Sequence, residues 1–194
     1  DSAGLTYAKI VASNDLDEHL IRDLKQQGAK VDTWGVGTNL ITARDNPALG
    51  AVYKMVAEEV DGKFVPKIKV SENREKTTNP GVKRPLRLMD NSTGKAIADL
   101  IILEEEVIDT SKPLTIFDPI ETWKRKTLRN FSVQELLTPI FLQGELVYSL
   151  PSLPEIQQRA KENQAAFWPE HIRLINPQEY YVDLSEPLWN LKQQ

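Results

Sequence analysis

Blocks of apolar and polar residues along the first forty positions predict a parallel β-α-β unit. The apolar run at residues 8–12 is typical of a buried strand. Leucine and isoleucine then recur at helical spacing over residues 16–24, and Gly28 marks the end of that helix. A second strand is predicted over residues 30–34, and it leads into a glycine-containing segment at residues 35–38. Because a helix joins the two strands, we expect them to be parallel with a right-handed crossover.

The middle of the chain has the pattern of short, mainly antiparallel strands. Residues 51–60 and 63–70 predict two strands joined by Asp61-Gly62, which is a strong signal for a two-residue hairpin turn. Between turn-forming segments, further strands are predicted at three places: residues 83–89, 96–103 and 114–117.

Three capping signals predict where helices begin. Asp15 with Glu18 and Ser152 with Glu155 both have the three-residue spacing of a capping box. The second of these helices should extend to about residue 167. Ser185, two residues before a proline, predicts the start of a last short helix. Together with the strands, these helices predict an α/β protein.

Composition excludes several classes of site and partner. Hydrophobic residues make up 40% and charged residues 27% of the 194 residues, as in ordinary globular proteins. The absence of cysteine excludes disulfides, thiolate zinc sites and cysteine nucleophiles, and two histidines are too few for a histidine-rich metal cluster. With 24 basic and 28 acidic residues the net charge is -4, and no apolar run is long enough for a membrane span. We therefore expect neither nucleic acid nor a membrane as a partner.

The candidate chemistry lies at the ends of the first two predicted strands. Two glycines one residue apart let consecutive backbone N–H groups approach one anion, and Thr38 adds a hydroxyl donor. The N-terminus of a following helix would add its dipole. Ser13 and Asn14 follow the neighbouring parallel strand, so they should lie beside this loop. The predicted phosphate site contains Ser13, Asn14, Gly35, Val36, Gly37 and Thr38. A tight turn without a ligand is the alternative.

Other polar and charged residues each have two interpretations. Asp15 and Asp17 could position a ribose hydroxyl or magnesium-bound water, or could simply cap the helix. A group of basic residues could reach ATP or pyrophosphate, or could form the solvated face of a hairpin; its members are Lys67, Lys69, Arg74, Lys76, Lys83, Arg84 and Arg87. We favour capping and the solvated face.

The remaining candidate residues are expected to have structural roles or to lie on the surface. The cluster at residues 124–126 with Arg129 is interpreted as exposed strand charge. His19 should lie on the surface, and His171 should have a structural role. For the tryptophans near element ends we expect core or interface packing; they are Trp123, Trp168 and Trp189.

Several segments together resemble the nicotinate phosphoribosyltransferase family. The run at residues 34–42 carries much of the resemblance, because relatives acting on other pyridines have different glycine patterns there. The resemblance covers essentially the whole chain but only the last part of the longer family members. The matching segments are residues 10–18 (IVASNDLDE), 28–29 (GA), 34–42 (WGVGTNLIT), 47–54 (PALGAVYK), 69–72 (KVSE) and 78–83 (TNPGVK).

The resemblance implies a particular reaction and partners. The family condenses nicotinate with phosphoribosyl pyrophosphate to give nicotinate mononucleotide and pyrophosphate in NAD synthesis. The reaction is coupled to ATP hydrolysis, so ATP and Mg²⁺ are the implied cofactors. A cytoplasmic homodimer is also implied. The chain alone should be inactive. The alternatives are a phosphoribosyltransferase acting on quinolinate or nicotinamide, or a non-catalytic phosphate-binding or assembly module.

The resemblance also implies that the chain contributes to two domains with different roles. Residues 1–56 would be the last β-α-β units of an irregular TIM-like α/β barrel, including the phosphate loop. Residues 57–194 would be the β-rich segment and C-terminal helices of a second domain. The loop and Ser13-Asn14 would hold the 5′-phosphate of the substrate. The family's catalytic histidine and nicotinate-binding arginine lie upstream, so no catalytic or metal-binding residue is assigned to this chain.

The first residues suggest that the chain continues another element. Residues 1–4 (DSAG) resemble the end of a helix, with Gly4 at its C-cap. We therefore expect the chain to be the C-terminal piece of a longer protein. A trimmed or processed terminus is the alternative.

Overall fold

The computed structural model describes residues 3–72 and 76–194. Two compact units are present, residues 1–52 and residues 53–194. The helix end predicted at residues 1–4 includes Asp1 and Ser2, which lie outside the described residues, as does Arg74 of the basic group. The predicted domain division after residue 56 concerns a complete enzyme and stays a prediction.

The first unit is the predicted parallel β-α-β arrangement. It contains β1 (Val11–Ser13), α1 (Glu18–Gln26), β2 (Thr33–Gly35) and the single turn α2 (Thr38–Ile41). β1 and β2 pair in parallel, from Val11 opposite Thr33 to Ser13 opposite Gly35. Both strands are shorter than predicted and displaced toward the loop. Before β1 begins, the Asp32 carboxylate accepts the backbone N–H of Ile10 at 2.8 Å, and the Ile10 carbonyl accepts the backbone N–H groups of Asp32 and Thr33.

The predicted cap of α1 was wrong by two residues. Asp17 is the N-cap, and its Oδ1 accepts the backbone N–H of Leu20 at 2.7 Å. Asn14 and Asp15 instead have left-handed backbone, with φ of 91° and 47°. The chain therefore uses these two residues to turn away from β1 before the helix can start. Gly28, at φ 83°, ends α1 as predicted.

The second unit contains the remaining elements. In chain order they are β3 (Ala57–Val60), β4 (Lys63–Pro66), β5 (Lys83–Asp90), β6 (Ala96–Leu103), β7 (Leu114–Phe117), β8 (Arg125–Leu128), β9 (Phe131–Glu135), β10 (Phe141–Leu142), β11 (Glu145–Leu146), α3 (Leu153–Ala165), α4 (Pro169–Ile172), β12 (Val182–Leu184) and α5 (Glu186–Gln193). The β3–β4 hairpin is confirmed with shorter strands, and Asp61 and Gly62 have φ of 51° and 74°, as this turn requires.

A four-stranded sheet with the order β12-β6-β5-β9 forms the centre of the second unit. β5 is antiparallel to β6, as predicted, and also to β9, a strand that was not predicted. β12 joins β6 in parallel. Alternate side chains of β5 and β6 pack on one face against the β7–β8 hairpin. The buried cluster comprises Leu86, Leu88, Ala98, Leu100, Ile102, Ile116, Leu128 and Phe131.

Both C-terminal capping predictions are confirmed. The Glu155 carboxylate accepts the backbone N–H of Ser152 at 2.6 Å and its hydroxyl at 2.7 Å, which opens α3. Ser185 Oγ accepts the backbone N–H of Leu188 at 3.3 Å, and the Leu188 side chain is fully buried. The α/β class is thereby confirmed, while a barrel is not visible in this chain. No helix within the described residues is long and apolar enough to cross a membrane.

Candidate phosphate-binding site

The structure brings the two predicted strand ends together. Ser13 and Gly35 are directly paired, and Ser13 Oγ lies 3.4 Å from the Gly35 carbonyl oxygen, to which it donates. A side chain at Gly35 would place its Cβ only 3.2 Å from Ser13 Oγ. The close approach of β1 therefore favours glycine here, because a Cβ would force the Ser13 side chain to shift.

The loop after β2 carries free hydrogen-bond donors. Among residues 3–72 and 76–194, the backbone N–H groups of Val36, Gly37 and Thr38 have no acceptor, and neither has the Thr38 hydroxyl. Gly37 and Thr38 are exposed, so these donors are accessible from solvent. Consecutive unpaired N–H groups form the kind of concavity that binds anions. This loop can therefore accept a phosphate without rearranging hydrogen bonds of the fold.

The helix that follows the loop is shorter than the prediction required. α2 is four residues long, and Gly37 is its N-cap. Its macrodipole is correspondingly small, since the dipole grows from aligned peptide units. Any attraction for an anion must come mainly from the loop N–H groups and the Thr38 hydroxyl.

Asn39, which no pattern in the sequence predicted as a site residue, connects the two strand-end loops. Its side-chain amide donates to the carbonyls of Asp15 and Leu16, both at 3.1 Å. Arg44 donates to the Asn39 side-chain oxygen at 3.2 Å. Asn39 thus fixes the loop after β1 against the loop after β2. Its position directly after Thr38 was the only signal in the sequence.

Neither aspartate near this site shows a metal-binding arrangement. Asp17 is occupied as a helix cap, as favoured, and the Asp15 carboxylate makes no hydrogen bond within the part of the chain described. Glu18, His19 and Asp45 do bring one ligand atom each within 4.8 Å of one another, but all three are exposed. His19 lies on the surface, as predicted.

The basic group at residues 67–87 does not form one solvated face. Lys67 pairs with Glu58 at 2.9 Å and is exposed, as expected. Arg87 contradicts the expectation, because it lies on the sheet opposite Asp99 with only 15% of its side chain exposed. Arg84 is also part-buried and pairs with Glu135. Three of these cations are thus paired with carboxylates within the second unit, and two of the three are part-buried.

Predictions for the other candidates had mixed outcomes. The cations at residues 124–126 and Arg129 are exposed, as predicted. Trp189 packs edge-on against Phe117, and its Nε1 donates to a backbone carbonyl at 3.1 Å. Trp123 and Trp168 are 72% and 43% exposed, so the core alternative was wrong for both, and interface packing stays a prediction. His171 Nδ1 lies 2.9 Å from the Gln178 carbonyl oxygen, a structural contact.

Fold and loop together define a mixed α/β protein with a strand-end loop suited to a phosphate group. Residues 82–192 match the family described as nicotinate phosphoribosyltransferase C-terminal domain. A nicotinate phosphoribosyltransferase of Bacillus subtilis is 48% identical over 194 residues, which are 100% of this chain and 40% of that protein. The human nicotinate phosphoribosyltransferase is 38% identical over 180 residues, covering 92% of this chain and 32% of the relative.

A solved structure agrees with these matches. The crystal structure of human nicotinic acid phosphoribosyltransferase superimposes with a TM-score of 0.74 and 31% identity, covering 98% of this chain and 34% of that one. The chain therefore belongs to the nicotinate phosphoribosyltransferase family and corresponds to its C-terminal portion. It spans 40% or less of the length of these relatives.

Proposed function

We propose that this chain is the C-terminal part of an enzyme that forms nicotinate mononucleotide and pyrophosphate from nicotinate and phosphoribosyl pyrophosphate. The enzyme would couple this transfer to ATP hydrolysis, in a ligase-type reaction of NAD synthesis. Support comes from family membership and from the names of the relatives. Those names favour nicotinate over quinolinate or nicotinamide as the pyridine substrate.

The chain's own contribution is to anchor the 5′-phosphate of the phosphoribosyl group. The observation that carries this proposal is the run of unpaired N–H groups at Val36, Gly37 and Thr38, beside the free Thr38 hydroxyl. Ser13 pairs directly with Gly35 in the β1–β2 ladder, and Asn14 follows it in the chain. The Asn14 amide would add a neutral donor to a doubly charged ligand, and the Ser13 hydroxyl would do so by turning from the Gly35 carbonyl, which it contacts at 3.4 Å, to the phosphate.

An anchored phosphate helps a reaction that occurs elsewhere on the ribose. Glycosyl transfer passes through a cationic, oxocarbenium-like state at the anomeric carbon. Binding energy from the distant phosphate is used to orient the ribose and restrict its motion before that state forms. The residues of this chain would bind and orient, and we assign none of them to the chemical step.

ATP and Mg²⁺ are proposed as partners of the complete enzyme. No residue set within the described chain fits a resident Mg²⁺, because the exposed Glu18–His19–Asp45 group includes an imidazole and Mg²⁺ prefers oxygen ligands. We place Mg²⁺ with the phosphorylated substrates and derive no step through it. A cytoplasmic homodimer is part of the same proposal.

The barrel is also a proposal that rests on family membership. Residues 1–56 would form the last β-α-β units of an irregular TIM-like barrel, with residues 57–194 in a second domain. The parallel β1–β2 pair joined by α1 supports this placement. Ligands in such sheets collect at the C-terminal ends of the strands, where the 13–14 and 35–38 segments lie.

The test is a chimera in which this chain replaces the matching C-terminal 40% of the Bacillus subtilis relative. The Thr38→Val substitution removes one hydroxyl donor and should weaken phosphoribosyl pyrophosphate binding by roughly 1.5–3 kcal/mol, the value of one charge-assisted hydrogen bond. The matched control is Thr33→Val on β2, whose exposed hydroxyl makes no hydrogen bond in the described chain. Equal affinity in the two variants would contradict the anchoring role, and an inactive parent chimera would contradict the activity.

A further inference from the structure

A cavity of about 430 Å³ lies in the second unit and is independent of the phosphate loop. Residues from β5, β6, β7, β8 and the segment between α3 and β12 line it. Its volume falls in the range of about 300–1,000 Å³ that small-ligand sites occupy. The charged lining is balanced in sign and consists of Asp90, Asp118, Asp183, Lys124, Arg125 and Lys126.

Asp183 is a buried carboxylate that the fold itself does not use. It pairs with Leu100 across the parallel β12–β6 ladder, so both side chains point to the core face of the sheet. The residue is 5% exposed, and its carboxylate has no hydrogen-bond partner among the residues described, although its oxygens are not completely sealed from the cavity. Asp118 differs, because its Oδ1 accepts the N–H groups of Ile120 and Glu121, both at 2.8 Å.

The burial of Asp183 has an electrostatic consequence. Loss of solvent, with the nearby charge of Asp118 adding to it, raises the pKa of the Asp183 carboxyl to about 6. A carboxylate in this position is disfavoured unless a donor from outside the fold meets it. The cavity is the space from which such a donor can reach it.

Lys126 supplies an available positive charge to the same cavity. It pairs with Ile116 in the β7–β8 hairpin and so lies on the same face of the hairpin as that buried residue, but it remains exposed where it lines the cavity. It makes no salt bridge within the described residues, whereas the neighbouring Lys124 pairs with Glu121. The adjacent Arg125 is held by the Thr122 carbonyl at 2.9 Å. Of the three basic side chains that line the cavity, Lys126 is therefore the one left without a protein partner among the described residues.

Two partly exposed aromatic side chains complete the lining. Trp168 is 43% exposed and Tyr181 is 52% exposed, so each offers ring surface to the cavity. Aromatic faces of this kind bind flat, apolar rings. The cavity thus combines an acceptor, a cation and aromatic surface.

We propose that this cavity binds a nucleoside monophosphate, with ribose hydroxyls donating to Asp183, the phosphate at Lys126 and the base against Trp168. Carboxylates are common acceptors for ribose hydroxyls, and lysine binds phosphate as a point charge. A free divalent cation fits less well because three basic side chains line the cavity. A simple anion fits less well because of the buried carboxylate. The mixed charge of the lining therefore selects a ligand with both donors and an anionic group.

The experiment is a titration of the 194-residue chain with adenosine monophosphate, adenosine and inorganic phosphate, followed by calorimetry and by NMR of the Trp168 indole. Adenosine monophosphate should bind about tenfold more tightly than either of the other probes. The Lys126→Gln variant should bind adenosine monophosphate and adenosine equally. The Asp183→Asn variant should bind both about tenfold more weakly, although removal of a buried charge should stabilise its fold.

The control is Lys161→Gln, which removes an exposed lysine of α3 outside the cavity and should leave all affinities unchanged. Three results would overturn the proposal: no binding of adenosine monophosphate, binding no tighter than that of inorganic phosphate, or unchanged affinity in both cavity variants. Shifts confined to residues 35–38, with the Trp168 resonance unmoved, would also overturn it. That last pattern would instead support the phosphate anchor, so the two proposals can fail separately.

Discussion

The part-buried ion pair between Arg87 and Asp99 should be a main determinant of stability in the second unit. Arg87 Nε and a terminal nitrogen donate to the two carboxylate oxygens at 2.8 and 3.0 Å, and both side chains are 15% exposed. The Tyr180 hydroxyl donates to the same carboxylate at 2.9 Å. The guanidinium also lies 4.7 Å from the centre of the Phe167 ring. This network ties the segment after α3 to the face of the sheet opposite the core.

The perturbation is Arg87→Ala, which leaves the Asp99 carboxylate part-buried with only the tyrosine donor. Removing one partner of a buried pair costs about 3–5 kcal/mol because the remaining charge is uncompensated. The residual exposure of both side chains places our expectation at the lower end, about 3 kcal/mol. Replacing both partners by apolar residues of similar size, Arg87→Met with Asp99→Leu, should be much less damaging.

Urea unfolding followed by tryptophan fluorescence measures these differences in the free energy of unfolding. The matched control is the exposed Lys112–Asp109 pair, at 3.0 Å with 77% and 49% of the side chains exposed. Its Lys112→Ala variant should lose less than about 1 kcal/mol. If Arg87→Ala were as stable as Lys112→Ala, or if the apolar double variant were the least stable, the assignment of the pair as a buried network would be wrong.

Three further predictions concern single residues, and a fourth concerns the first unit. Asn39→Ala removes two hydrogen bonds between the strand-end loops and should lower the free energy of unfolding of the first unit by about 1 kcal/mol. Faster amide hydrogen exchange at residues 13–16 is the expected measurement. Gly35→Ala should destabilise the β1–β2 pair by about 1 kcal/mol through contact with Ser13, whereas Gly50→Ala meets open space and should be neutral.

Because the folded-state pKa of Asp183 is raised from 3.8 to about 6, stability should fall as pH rises through that window. Asp183→Asn should abolish this fall in thermal unfolding midpoints; an unchanged profile would contradict it. The exposed apolar side chains of the first unit should make the isolated chain associate with concentration, and a monodisperse monomer in sedimentation would contradict this.

Local signals in the sequence predicted the elements that depend on adjacent residues. The Ser152–Glu155 capping box and the Asp61-Gly62 turn are confirmed because their hydrogen bonds and dihedral angles involve only neighbours in the chain. β9 and β12 were missed, since they are short and become strands only by pairing with β5 and β6, which lie far from them in the chain. The two-residue strands β10 and β11 were missed as well. The pairing of Arg87 with Asp99 has the same origin: it depends on the β5–β6 register.

At the candidate phosphate site, too, contacts that follow from the strand pattern were predicted, and contacts that depend on the detailed path of the loops were not. The sequence predicted that Ser13 would stand beside Gly35, because two parallel strands of similar length must end at one edge. It did not predict Asn39, whose role requires the left-handed turn at Asn14 and Asp15 to bring two carbonyls within reach. That turn also moved the helix cap to Asp17. One conformational detail thus accounts for both errors at this site.

The inward orientation of Asp183 also depends on pairing between distant strands. In the sequence it is a polar residue in a three-residue strand, and nothing there separates an exposed edge position from an inward one. The parallel register opposite Leu100 turns the carboxylate toward the core, where burial opposes its charge. A protein fold gains nothing from an inward carboxylate that lacks a partner, because an apolar residue of the same size would pack there at lower free energy. The position therefore makes physical sense when the partner is a ligand that enters the cavity.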